Sequence, residues 1–559
     1  MNKTKIQGID GLKAIAILAI TFFHFFPSKL TGGYLGVCLF FLITGFLMSL
    51  KSPFPLFNYF KKRIKRIYPA LLFMFFFTIG FYYFFCPEGI QAIRMEGFSV
   101  LTGWNNWWQI NQNANYFTRI ANASMFTPMW FLSIEMQFYL IWPLFYWGYR
   151  KLERTKGFTF AQRLLLILIL SSGIWMLIQY HPNQDVTRLY YGTDTRCFSL
   201  LMGVYLGMLY HHHKINEKEA SNDFLILLLF LVLGFCFKFC NGQAAYMYCG
   251  GFFGISLGMA LLFYSLLHKN HWTALLEWKG LKWIGQYSYE LFLWQYPILF
   301  FFQSKHWQSG WMIIIQFALL IGLAFLTKQV CTLHLKNWKR KSKIGLSILL
   351  SFFCFFGMLG FVQSKEQKDS TQLEKTIAQN QKALKKQKKK KVKVTQSISI
   401  ENVYCIGDSV MLGSAQALQE QLPNCQVNAE VSRHIGAELA SVQEAINAGQ
   451  VGKVVVISLG TNGPLYEEPV NNLLNALGNE REIFWVNVYG PYLEWQDDVN
   501  QTIDQLAKTH KNVHKVDWNV LISQHPEWLT SDGIHPEEEG QQAYAQLIKT
   551  TIEKTKSKS

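Results

Sequence analysis

Acidic residues are scarce in the first two thirds of this chain. Residues 1–362 hold 12 Asp and Glu against 32 Lys and Arg, whereas residues 401–559 hold 21 against 10. The excess of positive charge is therefore confined to the first 362 residues, where it falls between apolar runs, and to residues 363–400. Because such charge belongs to membrane loops and a linker rather than to one folded surface, we expect no nucleic-acid partner.

Cysteine patterns that bind metals are also missing. Eight of the ten cysteines are scattered through residues 1–362 without the spacing of a zinc site, and we expect no metal. Cys405 and Cys425 stand alone in the last part of the chain. They could form a disulfide if that part lies in an oxidising compartment, and a strand cysteine beside a loop cysteine, both reduced, fits the sequence equally well.

A cleavable signal peptide is not indicated, because the first apolar segment lacks a small-residue cleavage site and is expected to be the first membrane span. Long apolar runs fill residues 1–362 instead, and they predict a multispan α-helical membrane bundle of about 11 spans. The runs lie near residues 12–28, 33–50, 68–86, 130–148, 164–180, 198–210, 223–240, 247–267, 287–302, 310–327 and 344–362.

The loops between these runs predict the orientation in the lipid bilayer. With the N-terminus inside, the inside loops hold about 24 Lys and Arg and the outside loops about six, as the positive-inside rule requires. An odd number of spans then places the C-terminal part outside. We therefore expect a multi-pass protein of the cell membrane with a cytoplasmic N-terminus, a membrane domain over 1–362 and an extracytoplasmic domain over 401–559. The basic linker 363–400 is predicted to be a solvated spacer, with attraction to anionic wall polymers as a second effect.

From residue 401 onward the pattern changes to short β-rich runs separated by amphipathic stretches. The runs 403–406, 454–458 and 483–487 are predicted strands, and 415–422 and 499–510 are predicted helices. Such alternation predicts an α/β domain of three layers with a largely parallel sheet.

Three motifs place chemically competent residues in this domain. A Gly-Asp-Ser sequence ending at Ser409 follows the first predicted strand, a Gly-Thr-Asn sequence ending at Asn462 follows the second, and an Asp-Gly-Ile-His sequence runs from Asp532 to His535. Ser409 would be the nucleophile and His535 its base, with Asp532 holding the histidine tautomer. The Asn462 amide and the backbone N–H of Ser409 would donate to an oxyanion. The Gly-x-Ser-x-Gly elbow of ordinary α/β-hydrolases is absent.

In their order these motifs resemble the SGNH hydrolase family over residues 401–559. The resemblance implies a catalytic triad of Ser409, Asp532 and His535, with Asn462 as an oxyanion donor. Where the family has a glycine in its second block, this chain has Ser432. A backbone N–H survives that change, so Ser432 is expected to be the further oxyanion donor. The histidines at positions 434 and 510 have no comparable context and are predicted to be surface residues.

Ionisable and phenolic residues recur in the predicted spans, where ionisable side chains are costly and usually functional. They occur in short strings, namely Asp10 to Lys13 followed by His24, Arg63 to Pro69, Trp130 to Tyr139, Tyr191 to Arg196 and Ser288 to Glu290. Together these strings resemble the acyltransferase-3 family over residues 6–360. There the resemblance implies a role in acyl transfer for Lys13 and His24, although the family more often has Arg at the first position. Further candidates for acyl transfer are Glu135, Tyr190, Tyr191, Asp194 and Arg196. A phenol ester on Tyr190 or Tyr191 could carry the acyl group, and membrane-interface tyrosines are the alternative.

A fused acyltransferase-3 and SGNH pair resembles the peptidoglycan O-acetyltransferases of Gram-positive envelopes. The resemblance implies that acetyl is taken from cytoplasmic acetyl-CoA, moved across the membrane and placed, through an acetyl-Ser409, on the C6 hydroxyl of N-acetylmuramic acid. Three alternatives stay open: another surface polysaccharide or teichoic-acid-type polymer as acceptor, an extracytoplasmic carbohydrate esterase, and a transporter or sensor that only binds glycan. The sequence predicts neither the oligomeric state nor the length of the acyl chain.

Overall fold

The chain, seen in a computed structural model, divides into two compact units. One comprises Met1–Phe117 with Ser124–Glu366, and the other Thr118–Ala123 with Gln367–Ser559. The structure describes residues 6–27, 29–90, 93–111, 124–181, 186–213, 221–305, 307, 310–331, 340–364, 377, 379–380, 383, 403–431, 433–490, 493, 495–530 and 533–557.

The first unit is helical throughout its described part. Its helices are α1 Ile9–Phe25, α2 Gly36–Ser49, α3 Leu56–Phe85, α4 Ile93–Thr102, α5 Asn105–Asn111, α6 Met129–Lys156, α7 Phe158–Gln179, α8 Thr187–Tyr191, α9 Thr193–His213, α10 Asp223–Phe239, α11 Phe252–Leu266, α12 Trp272–Leu276, α13 Lys279–Gln286, α14 Ser288–Ser304, α15 Gly310–Cys331 and α16 Arg340–Gln363. Each predicted apolar run overlaps one of these helices.

Several of the helices are long and apolar enough to cross a membrane. Four contain an apolar stretch of 18 residues with at most two charged side chains, namely Leu56–Phe85, Phe158–Gln179, Met247–Leu266 (α11 with the turn before it) and Gly310–Cys331. The segments Gly33–Ser49 and Leu349–Gln363 are apolar but shorter. A helical membrane unit is thus confirmed, and the number of 11 spans stays a prediction.

Glycines allow the closest helix contacts in this unit. A Cβ added to Gly45 on α2 would lie 1.9 Å from the carbonyl oxygen of Leu200 on α9, and one on Gly203 would lie 2.0 Å from that of Leu42. Helices in lipid associate through small residues that let their backbones approach, because the bilayer supplies no hydrophobic driving force between them.

The second unit contains a five-stranded parallel sheet. Its strands are β1 Val403–Gly407, β2 Cys425–Ala429, β3 Val454–Ser458, β4 Glu482–Val486 and β5 Val513–Val516. They lie in the order β2-β1-β3-β4-β5, and the register pairs Gly407 with Ala429 on one side and with Ser458 on the other. Every residue of β1 and β3 is buried, as expected for strands covered on both faces.

The helices of this unit are α17 Ser409–Gly413, α18 Ala415–Gln421, α19 Glu438–Asn447, α20 Glu467–Leu477, α21 Gln496–Thr509, α22 Trp518–Ser523 and α23 Glu538–Lys556. Because crossovers between parallel strands are right-handed, this strand order places helices on both faces of the sheet. The direction of winding reverses between β1 and β3, which creates a crevice at the carboxyl ends of these two strands.

The predicted strands and helices of this unit are present within one to three residues of their expected bounds. The strands β2 and β5 were not predicted, and the predicted loop position of Cys425 is wrong, since Cys425 opens β2. Both thiols of the pair are reduced and buried. A hydrogen bond to Cys425, together with burial, raises the pKa of the Cys405 thiol.

A residue of the predicted linker contacts the helix α17. The side-chain amide of Asn380 donates to the carbonyl oxygens of Leu412 at 3.0 Å and of Gly413 at 3.2 Å. These carbonyls lie at the C-terminal end of α17, where the last carbonyls of a helix need partners from outside it. At Asn380 the linker therefore caps α17 rather than serving only as a solvated spacer.

The glycine contact between α2 and α9 predicts a stability difference between two matched substitutions. Gly203→Ala should lower the free energy of unfolding by about 1–3 kcal/mol, because the added methyl group must push two helices apart. Gly258→Ala on α11, where no atom lies within 4 Å of the added Cβ, is the control and should be neutral or slightly stabilising. Thermal unfolding of the full-length protein in detergent measures both, and equal melting temperatures would contradict the packing.

Candidate active site

Ser409 stands at the point where β1 ends and α17 begins. Asp408 caps this helix, since its carboxylate accepts a hydrogen bond of 3.0 Å from the backbone N–H of Val410. The backbone N–H of Asp408 donates to the carbonyl of Ser458 at 3.2 Å, which extends the pairing of β1 and β3 by one bond. The Ser409 hydroxyl is thus held at the crevice between these strands, and the residue is 6 % exposed.

His535 reaches Ser409 from a loop that folds back on itself. The backbone N–H of Thr530 donates to the His535 carbonyl at 2.8 Å, and Leu529 bridges to Pro536. Gly533 makes the turn with a φ of +70°, a conformation that favours glycine. As a result, His535 Nε2 lies 2.9 Å from Ser409 Oγ.

The carboxyl of Asp408 is fully buried behind the nucleophile. Burial raises its pKa to about 6, although the hydrogen bonds from Val410 and Thr461 and the charges of His535 and Arg433 oppose that rise. Asp408 is therefore partly protonated near neutral pH. One of its oxygens is bonded to the start of α17.

Asn462 lies in the loop after β3. Two indole N–H groups anchor this loop. Trp485 Nε1 donates a hydrogen bond to the Leu459 carbonyl at 3.2 Å, and Trp495 Nε1 donates one to the Gly460 carbonyl at 2.9 Å. The Asn462 amide nitrogen donates to the backbone carbonyl of Arg433 at 3.2 Å. An amide nitrogen has two hydrogens, so a second donor stays available at this position.

The structure brings Ser409, His535 and Asn462 to one end of the sheet, as the motifs predicted. Asp532 and Ser432 lie outside the described residues, so their roles stay predictions. His434, predicted to be a surface residue, is half-buried, and its ring packs against Gly463, where an added Cβ would meet Nδ1 at 3.0 Å. The sequence offered no signal for this position, since no motif surrounds His434.

In the membrane unit, Lys13 and His24 share one face of α1. They are eleven residues apart, which is close to three helical turns and about 16 Å along the axis. Lys13 lies 3.7 Å from Asp10. His24 is 6 % exposed, and its ring centroid lies 5.5 Å from that of Tyr296. Helix α1 therefore carries a cation and an imidazole on the same face, about three turns apart.

The Lys13 end of α1 borders an open cavity with about 80 Å³ of free space. Three cations line it, Lys13, Arg63 and Arg66, together with Glu135 and Tyr139. Glu135 accepts a hydrogen bond of 2.5 Å from Thr44. The guanidinium of Arg63 lies 4.6 Å from the centre of the Tyr139 ring. Glu135 and Lys13 were predicted from the sequence, whereas their common cavity was not.

Aromatic rings connect the region of His24 with the start of α9. Phe23 contacts Tyr34 at 5.6 Å between ring centroids, and Tyr34 contacts Tyr190 at 6.1 Å. Trp130 packs against both Tyr190 and Tyr191, at 4.9 and 5.3 Å. Both tyrosines are completely buried in this unit, and their role in acyl transfer stays a prediction.

Asp194 and Arg196 point in different directions because two residues on a helix are about 200° apart. Asp194 accepts both hydrogen bonds of the Arg188 fork, at 3.0 and 2.8 Å, and one from Trp175. Arg196 is fully buried, with its guanidinium 4.2 Å from the Phe252 ring centre and 5.2 Å from that of Tyr190. Its Nη2 reaches the Cys38 sulfur at 3.4 Å, and its Nε and Nη1 have no acceptor in the described part of the chain.

Among the described residues, no group of three or more His, Cys, Asp or Glu side chains is placed to hold a metal ion. The arrangement in the second unit instead suits acyl transfer through a serine ester, with base and oxyanion donors supplied by side chains and backbone.

The raised pKa of Asp408 predicts how pH changes the stability of β1. The folded protein keeps a proton that the unfolded chain loses near pH 4, so stability falls as pH rises from about 4 to about 6. Asp408→Asn cannot ionise yet still caps α17, and its stability relative to the parent should grow by about 3 kcal/mol across that window. Hydrogen exchange of the β1 peptide in the full-length protein measures this difference. The control is Asp498→Asn at an exposed position, which should change the free energy of unfolding by about 0.5 kcal/mol or less at either pH. A constant difference for Asp408→Asn would contradict the assignment.

Comparison with known proteins places both units in context. The profile of the acyltransferase-3 family, described as an acyltransferase domain, matches residues 6–333. The C-terminal catalytic domain of Streptococcus pneumoniae peptidoglycan O-acetyltransferase A, solved with a methylsulfonyl adduct, is 26 % identical over 28 % of this chain and 94 % of that one, with a TM-score of 0.27.

Two curated relatives extend over nearly the whole chain. The O-acetyltransferase OatA of Staphylococcus aureus is 30 % identical over 98 % of this chain and 96 % of its own length. The peptidoglycan O-acetyltransferase OatA of Listeria monocytogenes is 27 % identical over 99 % of both. With the family profile covering more than half of its length, this chain belongs to the acyltransferase-3 family and is a membrane-bound acyltransferase.

Proposed function

We propose that this acyltransferase is an O-acetyltransferase. In the proposal, acetyl passes from cytoplasmic acetyl-CoA across the membrane to the C6 hydroxyl of N-acetylmuramic acid in peptidoglycan, through an ester on Ser409. The observation that carries the proposal is the 2.9 Å contact between His535 Nε2 and Ser409 Oγ in a chain whose other unit is an acyltransferase-3 domain. The name of the Listeria relative, a peptidoglycan O-acetyltransferase, supports the acceptor class.

The first step at Ser409 is acylation. Ser409 Oγ attacks the carbonyl carbon of the incoming acetyl ester while His535 Nε2 takes the hydroxyl proton. The backbone N–H groups of Ser409 and Ser432 and the Asn462 amide would hold the negative oxygen that forms. The tetrahedral intermediate then expels the oxygen of the carrier, which receives the proton from His535. Asp532 would keep His535 in the tautomer with its hydrogen on Nδ1.

The second step returns the acetyl group to a sugar. His535 Nε2 takes a proton from the C6 hydroxyl, whose oxygen attacks the acetyl-Ser409 carbonyl, and the Ser409 oxygen leaves with that proton. Water in the same place would yield an esterase instead. Which acceptor is bound beside acetyl-Ser409 therefore decides between transfer and hydrolysis.

The donor would bind in the cavity at the Lys13 end of α1. Acetyl-CoA carries several phosphate charges, and Lys13, Arg63 and Arg66 supply three cations around one opening. Glu135 would help orient these cations, as it lines the same cavity. The thioester would then point along α1 toward His24, the proposed acyl-transfer base in the bundle.

The route onward would pass the aromatic cluster at the start of α9. Tyr190 or Tyr191 would accept the acetyl group as a phenol ester. The buried Arg196 supports this route, since its Nε–H and Nη1–H donors, without acceptors among the described residues, match an acyl carbonyl oxygen. Asp194 would act by fixing the N-terminus of α9 through Arg188.

We propose the orientation that the loop charges predict, with the N-terminus in the cytoplasm and the catalytic unit outside the cell membrane. In this orientation the acetyl group must be relayed across the membrane, because the donor is cytoplasmic and the wall acceptor is not.

The proposed function predicts the acetate content of the cell wall. In cells without wall O-acetylation of their own, the native chain should add base-labile ester acetate, whereas Ser409→Ala and His24→Ala should reduce it to background, at least about 100-fold. Purified wall is treated with alkali and the released acetate is measured.

Each other outcome of that experiment has a meaning. Normal acetylation by both variants would overturn the transferase proposal. Wall acetate that falls when the native chain is expressed would favour an esterase. Acetate on a teichoic-acid or polysaccharide fraction, with none on muramic acid, would reassign the acceptor.

The donor cavity predicts a matched pair of charge removals. Arg66→Gln should raise the KM for acetyl-CoA by about tenfold, because one charge-assisted phosphate contact is worth about 1.4 kcal/mol. Lys62→Gln, four residues earlier on α3 and outside the cavity lining, should leave KM unchanged. Transfer of labelled acetyl by the purified full-length protein measures both, and equal effects would show that the cavity is not the donor site.

A further inference from the structure

A buried arginine joins the three loops that meet at Ser409. Arg433 lies just after β2, in the loop that also carries Ser432, and it is 9 % exposed. No part of the sequence analysis assigned it a role. Building on the proposed function, we propose that Arg433 is a positioning residue, one that fixes the oxyanion donors relative to the nucleophile without touching the acetyl group.

The guanidinium of Arg433 closes the ends of two neighbouring strands. Its Nη1 donates to the carbonyl of Gly407, the last residue of β1, at 3.2 Å, and to the carbonyl of Asn428 in β2 at 2.5 Å. Its Nη2 donates to Asn428 Oδ1 and to Glu430 Oε2, both at 3.3 Å. The side chain thus joins β1 and β2 where the backbone hydrogen bonds between the two strands end.

The bond to Gly407 acts close to the nucleophile, since Ser409 is only two residues further along the chain. The backbone N–H of Glu430 also donates to the Gly407 carbonyl, at 3.1 Å, so two donors hold that peptide. A guanidinium fixed on Gly407 therefore fixes the direction in which the Asp408–Ser409 turn leaves β1.

The main chain of the same residue holds the third loop. The Arg433 carbonyl accepts the hydrogen bond from Asn462 Nδ2 at 3.2 Å. Asn462 comes after β3, on the other side of β1 from β2. Through its side chain and its carbonyl, Arg433 therefore links the ends of β1, β2 and β3, and it adjoins Ser432, the proposed backbone donor.

A lysine cannot replace these contacts. The planar guanidinium donates in several directions at once, whereas an ammonium on a flexible stem acts as a point charge. Arg433→Lys keeps the charge and loses the simultaneous contacts with Gly407 and Asn428. Displacing catalytic groups by about 1 Å can cost about 100-fold in rate, so the effect should appear in kcat rather than in substrate binding.

The test measures the Ser409 half-reaction in the purified full-length protein, with p-nitrophenyl acetate as acyl donor. Arg433→Lys should lower kcat by about 10- to 100-fold and change KM by less than about threefold. Glu430→Gln is the matched control, because its carboxylate is 68 % exposed and its bond to Arg433 at the surface contributes little. It should retain at least about half of the native kcat.

Folding is checked by hydrogen exchange of the β1 and β3 peptides, which should stay protected in Arg433→Lys. If these peptides exchange freely in Arg433→Lys, a double-mutant cycle of Arg433→Gln and Asn462→Ala replaces that variant. Additive effects of the two substitutions on kcat would overturn the proposal. Native kcat in a folded Arg433→Lys would also overturn it. If ester turnover is lost in Ser409→Ala but not in Arg433→Lys, the proposed function stands and only the role of Arg433 is wrong. If turnover survives Ser409→Ala, the proposed function itself is refuted.

Discussion

The parallel pairing of β1 with β3 is the constraint on which the catalytic unit depends. Its register brings Gly407 and Ser458 side by side, and the hydrogen bond from Asp408 to the Ser458 carbonyl adds one rung beyond the strand. Because the winding reverses here, the loops after both strands open into one crevice. Ser409 and Asn462 meet there although 53 residues separate them, and β2 brings Arg433 to the same edge.

In the membrane unit the corresponding constraint is the cost of polar groups away from water. Each buried charge must have a partner or a function. Asp194 has its partner in Arg188, whereas Arg196 keeps two donors without acceptors among the described residues. Lys13 and His24 lie in line on α1, with cationic walls at one end and aromatic rings at the other. Charge and aromatic residues thus follow the direction in which an acyl group would travel.

Sequence patterns predicted the features that repeat along the chain and missed those that depend on tertiary contact. Apolar runs located the long helices, and alternating runs located β1, β3 and β4, because burial imposes those periods. The strand β2 was missed because Cys425–Ala429 contains the polar residues Gln426 and Asn428, and Asn428 bonds to the buried Arg433. The motif around Ser409 identified its partner His535, since local turns fix both. Arg433 has no motif, and its role emerges only from contacts with residues distant in sequence.

The central claim is that acetyl crosses the membrane from a donor on one side to Ser409 on the other. The most direct measurement places the full-length protein in sealed vesicles, supplies isotopically labelled acetyl-CoA to one face only, and detects the label on the Ser409 peptide by mass spectrometry. The account predicts a labelled Ser409 only when the donor is on the face opposite the catalytic unit, and none in His24→Ala. Labelling only when donor and catalytic unit share a face would contradict it.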